Sequence, residues 1–262
     1  MDVITSAANP KIKRVVALRQ RRQRDKTGLS LAEGAREVQQ LIKSRLIIKE
    51  IYYLKDKQKD LEPLLLECKV NNVFICEVPK LLFEKISYGD GNQEILAVFV
   101  PEYLTLNDLK NKNNAVYLVV ESVEKPGNLG AILRTCDGAG IDGLIICDGK
   151  TDLYNPNVIR ASIGTVFTQN IVITTNPEAV EFLKNRNVII YATSPAAQKL
   201  YTAVDCKKSC AFIVGSESAG LTDFWMSQAD QTVKIPMSGE ADSLNVSTST
   251  ALFLYEAIRQ RQ

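Results

Sequence analysis

From residue 115 onwards the chain alternates short, almost wholly apolar runs with segments of helical period, and few folds accept that pattern. Runs at 116–120, 143–147, 169–174, 188–192, 210–214 and 232–235 are of strand length and rich in Val and Ile. Residues 129–139, 158–163, 178–185 and 245–262 carry apolar side chains at helical spacing. A strand that is apolar on both faces has to be covered on both faces. Its alternation with helices gives an α/β fold with a mostly parallel sheet between helix layers. In such sheets ligands bind in the loops beyond the carboxyl ends of the strands. Chemistry is therefore expected in the segments after Val120, Ala192, Val214 and Ile235.

The preceding residues read as a smaller α/β domain. Helices are expected at 33–43, 61–71 and 80–86, and strands at 47–54, 73–78 and 95–100. Next comes a polar stretch holding Asn107, Asp108, Lys110, Asn111, Lys112, Asn113 and Asn114, the composition of a linker. The expected organisation is a domain over 1–100, a linker over 101–114 and a second domain over 115–262. A chain of 262 residues is long enough for two hydrophobic cores.

Composition removes several kinds of chemistry. There are 0 histidines, so His-based triads, His general bases and His metal ligands are excluded. The six cysteines, Cys68, Cys76, Cys136, Cys147, Cys206 and Cys210, include no C-x-x-C pair and mostly sit among apolar neighbours. They read as reduced, buried side chains. Cys206 and Cys210 alone fall short of the four ligands of a structural zinc site, and no metal is expected. No apolar run is long enough to cross a bilayer, and the N-terminus lacks the apolar stretch of a signal peptide. The expectation is a cytoplasmic protein with no membrane partner.

Net charge is only +2, but the positive charge is clustered. Lys11, Lys13, Arg14, Arg19, Arg21, Arg22, Arg24 and Lys26 are opposed locally only by Asp25, and Ile12, Val15, Val16 and Leu18 interleave at helical spacing. A basic amphipathic helix is expected over 11–26. Two readings stand side by side: a solvated face with scattered salt bridges, or a face that binds nucleic-acid phosphates.

Gly138-Ala139-Gly140-Ile141-Asp142-Gly143 fits the spacing of a dinucleotide fingerprint. That motif needs a strand before it and a helix after it, and here the order is reversed. Its glycines read as a helix cap and a turn. Three other segments stand at the strand ends. Glu121 to Thr135 holds a Pro-Gly turn and then a helix with Asn128 expected as N-cap and Arg134 in the second turn. Val214 to Leu221 is a glycine-bearing turn that lets backbone approach a ligand. Ile235 to Ser247 leads into the last helix through Ser and Asn. Taken singly, each is also explained as an ordinary capped helix or tight turn.

Taken together, they resemble the three motifs of the SpoU (TrmH) family within the SPOUT methyltransferases. Asn-x-Gly-x-x-x-Arg-Thr stands as Asn128, Gly130, Arg134 and Thr135, and Gly-x-Glu-x-x-Gly-Leu as Gly215, Glu217, Gly220 and Leu221. The third motif stands as Ile235, Pro236, Met237 and Gly239, then Ser243, Leu244, Asn245, Val246 and Ser247. Upstream, Ile4-Thr5-Ser6, Asn9-Pro10-Lys11, Ala32-Glu33-Gly34 and Arg36-Glu37-Val38 resemble the substrate-binding domain that often precedes this catalytic domain, a ribosomal-protein-like RNA-binding fold. The chain departs from the pattern at Lys125, where Asn or Asp is common, at Thr248-Ser249-Thr250, where small apolar residues are usual, and at Glu94, where Gly is frequent.

The resemblance implies a C-terminal SPOUT α/β knot, a deep trefoil knot with a mostly parallel sheet, and a homodimer. An apolar face on the last helix (Ala251, Leu254, Tyr255, Ile258) suits a dimer contact. It implies S-adenosylmethionine (AdoMet) held by Thr193, Ser194, Gly215, Ile235, Leu244 and Asn245. It also implies transfer of a methyl group to a ribose 2′-hydroxyl of RNA. Ribosomal RNA is favoured over tRNA, and an inactive RNA-binding protein or a base methyltransferase is the rival. The family assigns activation of the hydroxyl to the arginine, here Arg134. A guanidinium does not give up its proton, so Arg134 is expected to orient phosphate and hydroxyl and to stabilise alkoxide charge. Asn128, Glu217, Asn245 and Ser247 are expected to position it and the ribose. Lys11, Lys13, Arg14, Arg19, Arg21, Arg22 and Arg24 are the expected RNA contacts.

Overall fold

The computed structural model describes residues 2–89 and 93–262. The chain forms two compact units, one of residues up to Glu102 together with Asp152–Thr168, the other of Tyr103–Thr151 and Gln169–Gln262. The inclusion of Asp152–Thr168 in the first unit differs from a division at 101–114.

Among the described residues the first unit holds a five-stranded sheet in the order β1 (Asp2–Val3), β4 (Phe74–Val78), β3 (Ile47–Leu54), β5 (Ile95–Val100), β2 (Ser30–Glu33). β1, β4 and β3 run parallel, while β5 runs antiparallel to both β3 and β2. Its helices are α1 (Pro10–Ala17), α2 (Arg21–Thr27), α3 (Ala35–Lys43), α4 (Glu62–Val70), α5 (Lys80–Ile86) and, from the inserted segment, α7 (Pro156–Ala161).

The basic stretch is two helices rather than the single one expected over 11–26. α1 starts at Pro10 behind an Asn9 side-chain cap, and α2 ends at Gly28, whose φ of 63° closes it. The helical period locates Ile12 and Val15 correctly, and both are buried. Helix 33–43 loses its first residues for a related reason. Glu33 ends β2 and Gly34, at φ 111°, turns the chain into α3.

The second unit is built on a seven-stranded, all-parallel sheet among the described residues. Its order is β10 (Lys199–Leu200), β12 (Gln231–Lys234), β9 (Ile189–Thr193), β11 (Cys210–Val214), β6 (Val116–Glu121), β7 (Gly143–Cys147), β8 (Ile171–Thr174). Every residue of β6, β7 and β11 is buried, as continuous apolar strands in the middle of a covered sheet should be. The helices are α6 (Pro126–Ala139), α8 (Asn176–Asn185), α9 (Asp223–Gln228) and α10 (Val246–Arg259). Tyr117, Val119, Ile145, Ile190, Ile213 and the fully buried Trp225 belong to one core cluster.

Residues 101–114 are not all free connection. Leu104 bridges to Val172, Thr105 and Asp108 form a capping box, and Leu109 is buried. The glycine pattern at 138–143 is structural: Gly140 closes α6 at φ 60° and Gly143 opens β7. On the last helix, Leu254 packs inside its own unit, leaving Tyr255 as the exposed member of the expected apolar face.

The first unit is pinned by a buried ion pair. The Arg24 guanidinium reaches Asp152 at 2.6 and 3.1 Å and also donates to the carbonyls of Leu18 and Arg19. The two side chains are only 5% and 11% exposed. Asp152→Ala leaves a buried guanidinium without its carboxylate and should cost about 3–5 kcal/mol. Asp25→Ala removes an exposed pair with Arg21 and should cost less than about 1 kcal/mol. Denaturant midpoints of the two variants check the contrast, and equal midpoints would remove the Arg24 pair from this role.

Candidate active site

All strands of the second sheet run the same way, so their carboxyl ends lie along one edge. Register fixes the alignment: Val214 stands beside Val120, Glu121 beside Cys147, and Thr193 beside Val233. The loops leaving β6, β9, β11 and β12 converge there on a cleft of about 570 Å³. Thr193, Ser194, Gly215, Ile235, Leu244 and Asn245 all line it, which brings together every residue expected at the cofactor.

Local structure explains the convergence. The Thr193 hydroxyl donates to the carbonyl of Ile213 at 2.8 Å, and the Ser194 amide donates to that of Val233 at 3.0 Å, fixing the turn after β9. After β11 the chain folds into a lobe over residues 215–221. Ser216 bridges Gly220, whose φ is 67°, and a Cβ built on Gly215 would lie 2.1 Å from the Gly220 carbonyl oxygen. A side chain at Gly215 would open the lobe and fill the space beside the cleft. α10 starts where Asn245 caps it, accepting from the Ser247 amide at 2.9 Å and from its hydroxyl at 2.6 Å.

Four of the five residues expected to be catalytic form one hydrogen-bond network. Asn128 Nδ2 donates to Glu217 Oε1, and Asn245 Nδ2 donates to Asn128 Oδ1 at 3.3 Å. Ser247 joins through Asn245. These contacts connect residues 89 and 117 positions apart in sequence. Asn128 is not the N-cap expected from its position. Pro126 takes the first helical position and Lys125 the cap, placing Asn128 inside the first turn with its side chain free for Glu217.

Arg134 is different. It is exposed, does not line the cleft, and makes no hydrogen bond or ion pair among the described residues. Six residues along a helix carry it about 9 Å beyond Asn128 and about 120° around the axis. Several cleft residues went unread in the sequence: Lys125, Pro195, Lys234, Ser249 and Phe253. Lys125 and Ser249 carried a signal as departures from the family pattern, whereas Phe253 is visible only once α10 is docked.

The cleft suits an adenosyl sulfonium. Val214, Ile235, Leu244 and Phe253 give it apolar walls for a flat base, and small residues let main-chain groups come close. Leu244 is 38% exposed, a large apolar surface at the wall that a bound group would cover. Lys125 and Lys234 supply positive charge at the lining for a carboxylate or phosphate.

In the first unit the basic residues divide. Lys11 and Arg14 converge on Glu50, a nearly buried carboxylate, which also accepts from Tyr52 at 2.8 Å. Burial pushes the Glu50 carboxyl up, but hydrogen bonds from Arg14, Tyr52 and Lys11 outweigh it and hold it below the ordinary value. Arg19 donates to the carbonyls of Lys85 and Ser87. Arg24 is buried against Asp152, which corrects its assignment as a phosphate contact: a guanidinium fully engaged inside the unit cannot reach RNA. Lys13, Arg21 and Arg22 face solvent.

All six cysteines are buried and free. Burial pushes the Cys68 and Cys76 thiols up to about 11 and that of Cys147 up to about 12, so they stay protonated. Among the described residues no group of three or more His, Cys, Asp or Glu could hold a metal ion, and no helix is long and apolar enough to cross a membrane.

Comparison with known proteins agrees with this arrangement. The SpoU rRNA Methylase family matches residues 115–255, and the MRM3-like substrate binding domain matches residues 9–97. The 23S rRNA (guanosine(2553)-2′-O)-methyltransferase RlmP of Bacillus subtilis is 32% identical over 256 residues, covering 97% of this chain and 98% of that protein. The 23S rRNA (uridine(2479)-2′-O)-methyltransferase of Streptomyces viridochromogenes is 28% identical, with 92% and 86% covered. An AdoMet-bound rRNA methyltransferase from Sinorhizobium meliloti superposes with a TM-score of 0.91 at 30% identity, covering 100% of this chain and 98% of that one. A cleft assembled from three distant motifs and a match along nearly the whole chain lead to one conclusion: this protein belongs to the SpoU rRNA methylase family of AdoMet-dependent SPOUT methyltransferases.

Proposed function

We propose that the protein methylates a ribose 2′-hydroxyl of ribosomal RNA, with the cofactor in the cleft at the ends of β6, β9, β11 and β12. The observation that carries this reading is the Asn128–Glu217–Asn245–Ser247 network, which joins all three motifs beside that cleft. The named relatives act on 23S rRNA, and this supports ribosomal RNA as the substrate class. The test is ribose-methylation mapping of ribosomal RNA from a deletion strain and after treatment with the purified enzyme. One 2′-O-methyl group should vanish in the first and return in the second. A product methylated on the base, or only on tRNA, would overturn the proposal.

AdoMet supplies an electrophilic methyl group on a sulfonium, and the remaining requirements fall to the chain. Thr193, Ser194, Gly215, Ile235, Leu244 and Asn245 would hold the cofactor. The ribose hydroxyl is a weak nucleophile, so alignment and removal of its proton set the rate. Glu217 and Asn245, locked to Asn128, would fix the ribose, with Ser247 holding Asn245. Arg134 would hold the adjacent phosphate and stabilise alkoxide charge, leaving the proton to phosphate or water.

The position of Arg134 bears on assembly. It lies off the cleft, on the helix α6 that packs against α10. Gly138, one turn further along α6, lies beside the exposed Tyr255, where a Cβ would be 3.0 Å from the phenol oxygen. We place the homodimer contact on this face, so that Arg134 enters the site of a second copy. The strand order, with β11 set between β9 and β6 and β12 between β9 and β10, supports a knotted C-terminal half. Six free thiols fit a reducing compartment and support the cytoplasm.

Arg134→Ala should lower single-turnover methylation at saturating RNA by about 10²–10⁴-fold while AdoMet affinity holds. Lys in its place should rescue poorly, lacking the planar fork. Mixing Arg134→Ala with a Ser249→Trp chain, whose own cleft is blocked, should restore activity through mixed dimers. A mixture as inactive as its components would return Arg134 to its own protomer's site.

RNA affinity should depend on the exposed cations. Neutralising Lys13, Arg21 and Arg22 together should flatten the logarithmic salt dependence of RNA binding by about 2–3, at about 0.7–0.9 per phosphate contact. AdoMet binding should not change. An unaltered salt slope would make this surface a solvated face.

A further inference from the structure

We infer that Glu121, to which nothing above assigns a role in the reaction, is a positioning residue that sets the lobe carrying Gly215 and Glu217. The inference rests on reading the cleft as the cofactor site.

Glu121 ends β6 and is 1% exposed. Among the described residues no Lys or Arg pairs with it. Three hydrogen bonds hold the carboxylate instead: the Thr222 amide at 2.9 Å on Oε2, and the Thr222 hydroxyl at 2.8 Å and Asn176 Nδ2 at 2.7 Å on Oε1. Asn176 is fixed in turn. It also donates to Asp148 at 2.9 Å, and its Oδ1 accepts from Trp225 Nε1 at 2.8 Å. A carboxylate taken out of water without a cation is costly, and only complete hydrogen bonding makes it tolerable. An apolar residue would fill the same space without that demand.

What the carboxylate specifies is the far end of the lobe. Thr222 stands at the N-cap of α9, yet its side chain makes no capping bond, because the hydroxyl is given to Glu121. One residue therefore commits both its amide and its hydroxyl to the end of β6. The lobe between β11 and Thr222 is stiff at its base. Gly220 donates to the Ser216 carbonyl at 3.0 Å, and the Gly215 and Gly220 backbones are in direct contact. A shift at Thr222 is therefore passed to Gly215 at the cleft wall and to Glu217. Asn128 grips the same lobe through Glu217. A single stretch, from Glu121 to Asn128, thus holds the lobe twice: a carboxylate at its base and an amide at its tip. The sharp turn that separates the two holds begins at Ser122, whose φ is 53° and whose amide is bound to the Cys147 carbonyl.

Glu121→Gln keeps the shape and sets an amide NH2 against a donor, either Thr222 or Asn176. AdoMet affinity by titration calorimetry should fall about tenfold, and kcat at saturating AdoMet should fall about tenfold, as expected for one misdirected buried hydrogen bond. KM for RNA should stay within about twofold, since neither Thr222 nor Asn176 is among the residues assigned to RNA contact. Thr222→Val removes only the hydroxyl bond and should act in the same direction, more weakly. The double variant should be no worse than Glu121→Gln alone, because both break one linkage. Ser249→Trp, which narrows the cleft, separates the two levels of the argument. If it leaves AdoMet binding intact, the cofactor lies elsewhere and the reading of the cleft fails. If it abolishes binding while Glu121→Gln and Thr222→Val lose thermal stability but keep wild-type AdoMet affinity and kcat, Glu121 is a packing residue and the inference fails alone. Should Glu121→Gln not fold, Thr222→Val decides the question.

Discussion

The active region depends on what one side-chain amide can do. Asn128 donates through Nδ2 to Glu217 and accepts at Oδ1 from Asn245, so one group of three heavy atoms joins all three loops. Few alternatives satisfy both demands. Aspartate would set a second carboxylate against Glu217, and serine would be too short to reach both partners. Glutamine would carry the amide one carbon further from a helix whose start is fixed by Pro126. The helix therefore has to begin at Pro126, and the strand before it has to end level with β11. Pro126 at the first helical position meets the first condition, and the parallel pairing of β6 with β11 meets the second.

Charge is used in opposite ways in the two units. In the first, Glu50, Asp152 and four backbone carbonyls absorb Lys11, Arg14, Arg19 and Arg24, leaving Lys13, Arg21 and Arg22 to solvent. The cluster in the sequence is thus partly internal scaffolding and partly solvent-facing surface. In the second unit Glu121 is buried with hydrogen bonds alone, and the cations at the cleft, Lys125 and Lys234, sit at its lining.

The legible parts were those with a strong period or an ordered motif. The central strands were readable because burial on both faces forces an unbroken apolar run, and β6, β7 and β11 fall within a residue of expectation. β1 and β10 have two residues each, exposed, and β2 is Ser-Leu-Ala-Glu with no apolar alternation. β2 is nonetheless fully buried, because Ser30 bonds the Tyr154 carbonyl and Glu33 accepts from Ser87 and Tyr88, partners 124, 54 and 55 positions away. Arg24 was misread for the same reason, its carboxylate lying 128 positions downstream. The cleft residues were readable through the motifs and through the rule that ligands bind beyond the carboxyl ends of the strands, which located the segment after Ala192. The separation of Arg134 from Asn128 was in principle available, since positions i and i+6 never share a helix face.

Backbone and side chain divide the labour of shaping the cleft. Its shape comes from strand ends held in register by main-chain hydrogen bonds, which any strand-forming sequence supplies. Gly215 is an exception, because a Cβ there would overlap the Gly220 carbonyl. The other exceptions are the groups that bind one loop to another: Asn128 to Glu217, Asn245 to Asn128, and Thr222 to Glu121. None of these bonds is needed to form a helix or strand. Each fixes where one loop stands relative to the next, and a methyl transfer that requires a weak nucleophile to meet its electrophile in line is sensitive to that quantity above all others.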